Sequence, residues 1–223
     1  MDANFHIIKN FPDGYPWYKK VYAHMMFLLG SSTIHRRSNF LNYADFKKSL
    51  DILLPGDVLL TGGLRRLSKI FIGNIVTHSL VYCGNHKVIH SNADGVKIDS
   101  VYEILREYDT LVILRHKYAP VSQVQKFLMC LSVNIGKPYD FEFKEGADKL
   151  YCAELIKVSA IQADLEILPK TKISNSIVYP IELMNGYFNV KFLSHNLEIK
   201  DGCLYLLDPQ GNVIDKQLCR IHN

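Results

Sequence analysis

The chain of 223 residues has no CxxC pair, and its five cysteines are an odd number. That argues against a zinc ribbon or a disulfide framework and predicts free thiols in a reducing compartment, cytoplasmic or otherwise. No apolar run reaches the length of a membrane span. The nearest candidate, Val21 to Gly30, follows Lys19-Lys20 but is interrupted by His24 and preceded by about twenty residues. It reads as a helix, and no convincing signal peptide is expected. Neither sign of charge dominates. A net charge of +4 falls far short of the basic stripe of a nucleic-acid binder, so no nucleic-acid partner is expected. It leaves an anionic ligand or peripheral contact with a membrane surface open. Internal repeats and low-complexity tracts are also missing. What remains is 48% apolar and 22% charged, the balance of an ordinary globular protein.

Three parts are expected. Residues 1–50 form an N-terminal helical extension, with a helix over Tyr15 to Leu29 whose Trp17, Val21, Met25 and Leu28 share one face, and a second over Tyr43 to Leu50 capped by Asn42. That first face is suited to closing one end of a cleft. Residues 51–195 carry the main α+β pattern: a small antiparallel sheet or half-barrel with helices packed on it. A strand over Val58 to Thr61 follows the Leu54-Pro55-Gly56-Asp57 turn. Leu64 to Ile72 is an amphipathic helix with a basic side, and Ser79 to Cys83 and Lys87 to Ser91 form a hairpin. Val96 to Ile98, a short helix over Val101 to Arg106, a strand over Thr110 to Arg115 and a helix over Val121 to Val133 come next. Ser174 to Phe192 is mixed. Residues 196–223 read as a terminal β-ribbon around the Asp208-Pro209 turn.

Chemistry concentrates at Tyr151-Cys152-Ala153-Glu154-Leu155-Ile156, which follows the turn-forming run Gly136-Lys137-Pro138-Tyr139-Asp140 and opens a helical pattern. A cysteine in the first turn of a helix faces unpaired backbone N–H groups and the positive end of the dipole, which favours a thiolate and predicts a lowered pKa. The alternative is a small buried core cysteine. A thiolate also needs a base, and the hairpin offers His78 and His90. If Gly84, Asn85 and His86 form a three-residue loop, Leu80 faces His90, and His78 is its diagonal neighbour on the same face. A two-residue Gly84-Asn85 loop turns His90 to the other face. The first register yields one imidazole to take the thiol proton and another to orient it. Three unrelated hairpin histidines, His78, His86 and His90, are the bland alternative. Cys83, His86 and His90 are close in the chain but match no recognised zinc spacing, so no metal is expected.

The runs Pro55-Gly56-Asp57-Val58-Leu59-Leu60, Thr77-His78-Ser79-Leu80-Val81-Tyr82 and Lys87-Val88-Ile89-His90 resemble the circularly permuted NlpC-type papain-like proteins, the YiiX-like group. So do Gly136 to Phe141 and Tyr151 to Leu155. The resemblance covers roughly residues 52–195 and implies a permuted papain-like fold. It implies His78 as base, His90 as orienting residue and Cys152 as nucleophile, with no cofactor. Members of the group often carry Glu at the second position. His90 departs from that and is similar to the His-His-Cys order of the lecithin:retinol acyltransferase family. The implied activity is a thiol amidase or peptidase acting on a small peptide or cell-wall-type amide. A lipid thiol esterase or acyltransferase acting on an acyl lipid, and a non-catalytic binding module, are the alternatives. Tyr139, Tyr151 and Asp57 are candidate substrate contacts.

Overall fold

A computed structural model describes residues 8–31, 41–63, 74–144, 146, 148–169 and 177–219, with the side chains of residues 29–31 left aside. Arg36-Arg37 and the basic amphipathic segment from Leu64 to Ile72 lie outside the described residues. The strands β1 (Val58–Gly62), β2 (His78–Gly84), β3 (Lys87–Asn92), β4 (Gly95–Ser100), β5 (Thr110–His116) and β6 (Phe188–Leu193) form one antiparallel sheet. Its order is β4-β3-β2-β1-β5-β6. β1 lies inside this sheet and is buried along its whole length, which explains a near-continuous apolar run where a half-exposed strand would alternate.

Strand alternation splits the buried residues between two cores. Val58, Leu60, Val81, Ile89, Val112 and Leu114 belong to the larger one. It includes Phe127 and Leu131 of helix α4 (Val121–Ser132) and Leu155, Ile156 and Ala160 of helix α5 (Cys152–Gln162). Leu59, Leu80, Val88, Leu111 and Ile113 belong to the other core, with Val101, Ile104 and Leu105 of helix α3 (Val101–Glu107). The fold is thus mixed α+β, and the cysteine helix packs on the sheet against β2 and β3.

The N-terminal helices are α1 (Trp17–Ser31) and α2 (Tyr43–Ile52), the second capped by Asn42, whose side chain accepts from the Asp45 N–H at 2.8 Å. The α1 face expected to close one end of a cleft is open: Trp17 is 76% exposed, and Val21, Met25 and Leu28 are exposed too. Among the described side chains of that helix, Ala23 is the buried one. Helical periodicity marks an apolar stripe but cannot say that a partner covers it. β6 is a strand inside the stretch expected to be mixed. The C-terminal strands β7 (Leu197–Lys200), β8 (Cys203–Leu207) and β9 (Val213–Leu218) form a separate three-stranded sheet. Leu197, Leu204 and Leu206 join the larger core. From β9, the Gln217 side chain accepts from the Ile75 N–H at 2.8 Å and also bonds Asn74, so the ribbon grips the segment that leads into β2.

Candidate active site

The β2–β3 hairpin turns at Asn85-His86, both with positive φ as a type I′ turn requires, and Gly84 pairs with Lys87. Neither expected loop is the one formed. Between Gly84 and Tyr82 the register shifts by one residue, with Cys83 the extra residue, and then runs as Tyr82 opposite Val88 and Val81 opposite Ile89. Continued by one step, that register puts Leu80 opposite His90. The two imidazoles meet: His78 Nε2 lies 2.8 Å from His90 Nδ1 with the rings nearly perpendicular, and both residues are buried.

The chain of contacts extends one residue further. His90 Nε2 lies 2.9 Å from an Asp99 carboxylate oxygen, and Lys97 Nζ approaches the same oxygen at 3.0 Å. Asp99 stands at the end of β4, opposite Val88, on the same face as His90. The hydrogen bond from His90, opposed by partial burial and aided by Lys97, lowers the Asp99 pKa to about 2. The strand expected over Val96 to Ile98 runs to Ser100 and so includes this residue. The signal was present as the alternation of Lys97 and Asp99 after the Asp94-Gly95 turn. Tyr108, which stacks on His78 with ring centres 5.7 Å apart, carried no such signal.

β2 pairs with β3 from Val81 onward, so among the described residues the strands part at the His78 end. The start of α5 caps that opening. Leu150, just before the helix, accepts from the Ser91 hydroxyl at 2.5 Å, and its own N–H donates to Pro138 at 3.0 Å. The Gly136–Pro138 turn is itself docked on β4: Val96 donates to the Lys137 carbonyl, Gly136 donates to Val96, and any Cβ on Gly95 would run into the Lys137 carbonyl. Cys152 is therefore placed by two β-strands and a turn, and it is only 6% exposed.

Burial pushes the Cys152 thiol up, against the stabilising pull of the Ser79 backbone N–H, the Ser79 hydroxyl and the N–H groups of Ala153 and Cys152 itself. The expected lowering of its pKa is corrected accordingly: the helix start supplies the donors, but desolvation outweighs them. The Ser79 hydroxyl is buried and, among the described residues, has no partner of ordinary hydrogen-bond geometry. It stands beside the sulfur as a donor that favours the charged thiolate. The Thr61 hydroxyl, on the β1 residue opposite His78, is likewise buried with no hydrogen-bond partner among the described residues.

Of the expected substrate contacts, Tyr139 lies in the neighbourhood of the sulfur. Burial pushes its hydroxyl well above the usual range, with the negative charge of a Cys152 thiolate the next cause. Tyr151 is buried, and its hydroxyl accepts from the Val178 N–H at 2.9 Å, a packing role. Asp57 is held in a contact within the fold. It is buried, accepts from Arg115 Nε and a terminal guanidinium nitrogen at 2.7 Å each, and accepts from the Leu54 N–H at 2.8 Å. Three of the roughly four acceptor positions of the carboxylate are thus taken up within the fold.

No curated protein matches the chain. A solved structure described as the metalloprotein yiiX from Escherichia coli O157:H7 is 22% identical, over 52% of this chain and 69% of that one, with a TM-score of 0.45. The metal belongs to the description of that protein. Among the described residues here, no group of three or more His, Cys, Asp or Glu side chains could hold a metal ion. The family model of the permuted papain-like amidases, YaeF/YiiX, C92, matches residues 53–180. That span contains the hairpin histidines, the Gly136–Pro138 turn and the cysteine helix, and the chain belongs to the permuted papain-like amidase family.

Proposed function

We propose that this amidase-family protein is a thiol hydrolase in which Cys152 is the nucleophile, His78 the general base and His90 the residue that orients it. The observation that carries the reading is the 2.8 Å contact between His78 Nε2 and His90 Nδ1. With Nε2 turned to His90, Nδ1 is the ring nitrogen left to accept a thiol proton. His78 Nδ1 takes the proton of Cys152 as sulfur attacks an amide carbonyl. The oxyanion accepts from the Cys152 N–H at the helix start. The His78 imidazolium then protonates the leaving amine as the C–N bond breaks, leaving a thioester. Water, deprotonated by the same imidazole, adds to the thioester, the C–S bond breaks and the acid departs. Because burial holds the resting thiol neutral, proton transfer to His78 belongs to the attack and not to the resting state.

The substrate class we favour is a small peptide or cell-wall-type amide, with Tyr139 against it. A lipid thiol esterase or acyltransferase is the second reading, and His90 in place of Glu is what favours it. Residues 51–195 would carry the chemistry, with 1–50 as a helical extension and 196–223 as a ribbon. All five cysteines are free, which suits a reducing compartment. The test is hydrolysis of a dipeptide amide, a γ-glutamyl peptide and a phospholipid ester side by side, for the native protein and Cys152→Ala. Turnover of an amide, lost in the variant, supports the reading. Turnover of the phospholipid ester alone moves the protein to the second reading, and cleavage unaffected by Cys152→Ala removes the thiol mechanism.

A further inference from the structure

We propose that Asp99 is a positioning residue that fixes the proton arrangement of both imidazoles and so decides which nitrogen of His78 is basic. The inference rests on His78 as the base. It begins at a carboxylate that can only accept hydrogen bonds. His90 Nε2, 2.9 Å from Asp99, must therefore carry its proton and donate. A neutral imidazole has one N–H, so His90 Nδ1 carries the lone pair. His78 Nε2, 2.8 Å from that nitrogen, must then be the donor. In neutral His78 the lone pair is left on Nδ1. A charge two residues removed thus selects the atom that receives the thiol proton. Reversing the chain would require one more proton on the His90–Asp99 pair, on the carboxylate or on His90 as an imidazolium.

The same chain acts after proton transfer. An imidazolium at His78 donates from both nitrogens, and the bond to His90 Nδ1 becomes charge-assisted without any proton moving between the rings. The Asp99 carboxylate balances part of that charge through His90. Lys97 opposes it from the same oxygen, and Asp94 lies 3.8 Å from Lys97. Tyr108 is stacked on His78, and Tyr139 is influenced by both Tyr108 and Cys152. Only Asp99 both touches a ring nitrogen among these contacts and holds a charge of the sign that stabilises an imidazolium.

Two measurements test this. Long-range nitrogen–proton correlation spectra of the native protein read the imidazole tautomers with no substrate needed. Both His78 and His90 are expected as the Nε2–H forms, and an Nδ1–H form at His90 overturns the proposal. The second is the pH profile of Cys152 alkylation by iodoacetamide in the native protein, Asp99→Asn, Lys97→Met and His78→Gln, with folding checked by melting. Asn still accepts from His90 Nε2 but has lost the charge. Asp99→Asn should lower the plateau rate about tenfold, the loss of one charge-assisted hydrogen bond, and shift the acid limb to lower pH by about one unit. Lys97→Met should shift that limb the other way. A purely structural role for Asp99 would reduce the amount of reactive protein without moving the limb, and that result overturns the proposal. If His78→Gln also matches the native profile, His78 is not the base, and both this inference and the mechanism fall. If His78→Gln loses reactivity while Asp99→Asn does not, only the role of Asp99 falls.

Discussion

Replacing Ser79 by alanine separates reactivity from stability. In most proteins, removing a buried hydroxyl breaks a hydrogen bond and costs about 1 kcal/mol. Here the hydroxyl has no partner of ordinary geometry among the described residues, and its one service is to the Cys152 sulfur when that is charged. Ser79→Ala should therefore leave the melting temperature unchanged or raise it slightly, since a buried group without a bond is replaced by an apolar one. The thiolate, in contrast, loses a charge-assisted hydrogen bond of roughly 1.5–3 kcal/mol. That raises the pKa of Cys152 by about 1–2 units, so alkylation at a fixed pH below the pKa slows by roughly ten- to a hundred-fold. The Ser79 backbone N–H remains and should keep the loss towards the lower figure. The assay is the second-order rate of Cys152 alkylation at pH 7, followed by mass spectrometry, beside a thermal melt. Thr61→Val is the control. It removes the other hydroxyl that is buried without a partner among the described residues, and because Thr61 stands opposite His78 and not against the sulfur the variant should be stable and slow alkylation less than Ser79→Ala. An unchanged alkylation rate in Ser79→Ala, or a melting point several degrees lower, would refute the reasoning.

Other perturbations should act elsewhere. Asp57→Ala leaves the Arg115 guanidinium without its bidentate partner beside the β1 start and should cost about 3 kcal/mol, read as a shift in urea midpoint, with Cys152 alkylation unaffected while the protein is folded. Asp99 has a folded pKa of about 2, below its unfolded value, so its contribution to stability is present above about pH 4 and is lost as the pH falls towards about 2. Asp99→Asn should flatten the stability curve in that window, measured by urea unfolding at successive pH values. Gln217→Ala removes the ribbon's grip on Asn74 and Ile75. It should cost about 1 kcal/mol, and hydrogen exchange at Ile75 should quicken more than elsewhere in the strand that follows.

Period-2 and period-3.6 patterns located β1, the histidine hairpin, β5 and the cysteine helix because these segments bury continuous or alternating apolar faces. The hairpin loop was harder. Turn preferences made Gly84 a loop residue, but the loop is Asn85-His86, and an extra residue at Cys83 sets the register at His90. A bulge adds one residue without changing composition, so local preference cannot place it. The stripe of Trp17, Val21 and Met25 was visible, but its exposure depends on where the helix lands, which is a tertiary fact. Asp57 looked like a polar group near the site. Its partner Arg115 lies 58 residues away in the chain, and no local pattern joins them. Asp99 is the instructive case: its link to His90 spans only nine residues, yet it depends on a register that the bulged hairpin decides.

The decisive measurement is a rapidly quenched turnover of an activated acyl substrate, followed by peptide mapping of the trapped protein. The mechanism predicts an acyl adduct on Cys152, formed in the native protein, absent in Cys152→Ala and strongly slowed in His78→Gln. An adduct on Cys83, Cys130, Cys203 or Cys219, or turnover with no adduct that survives in Cys152→Ala, would contradict it.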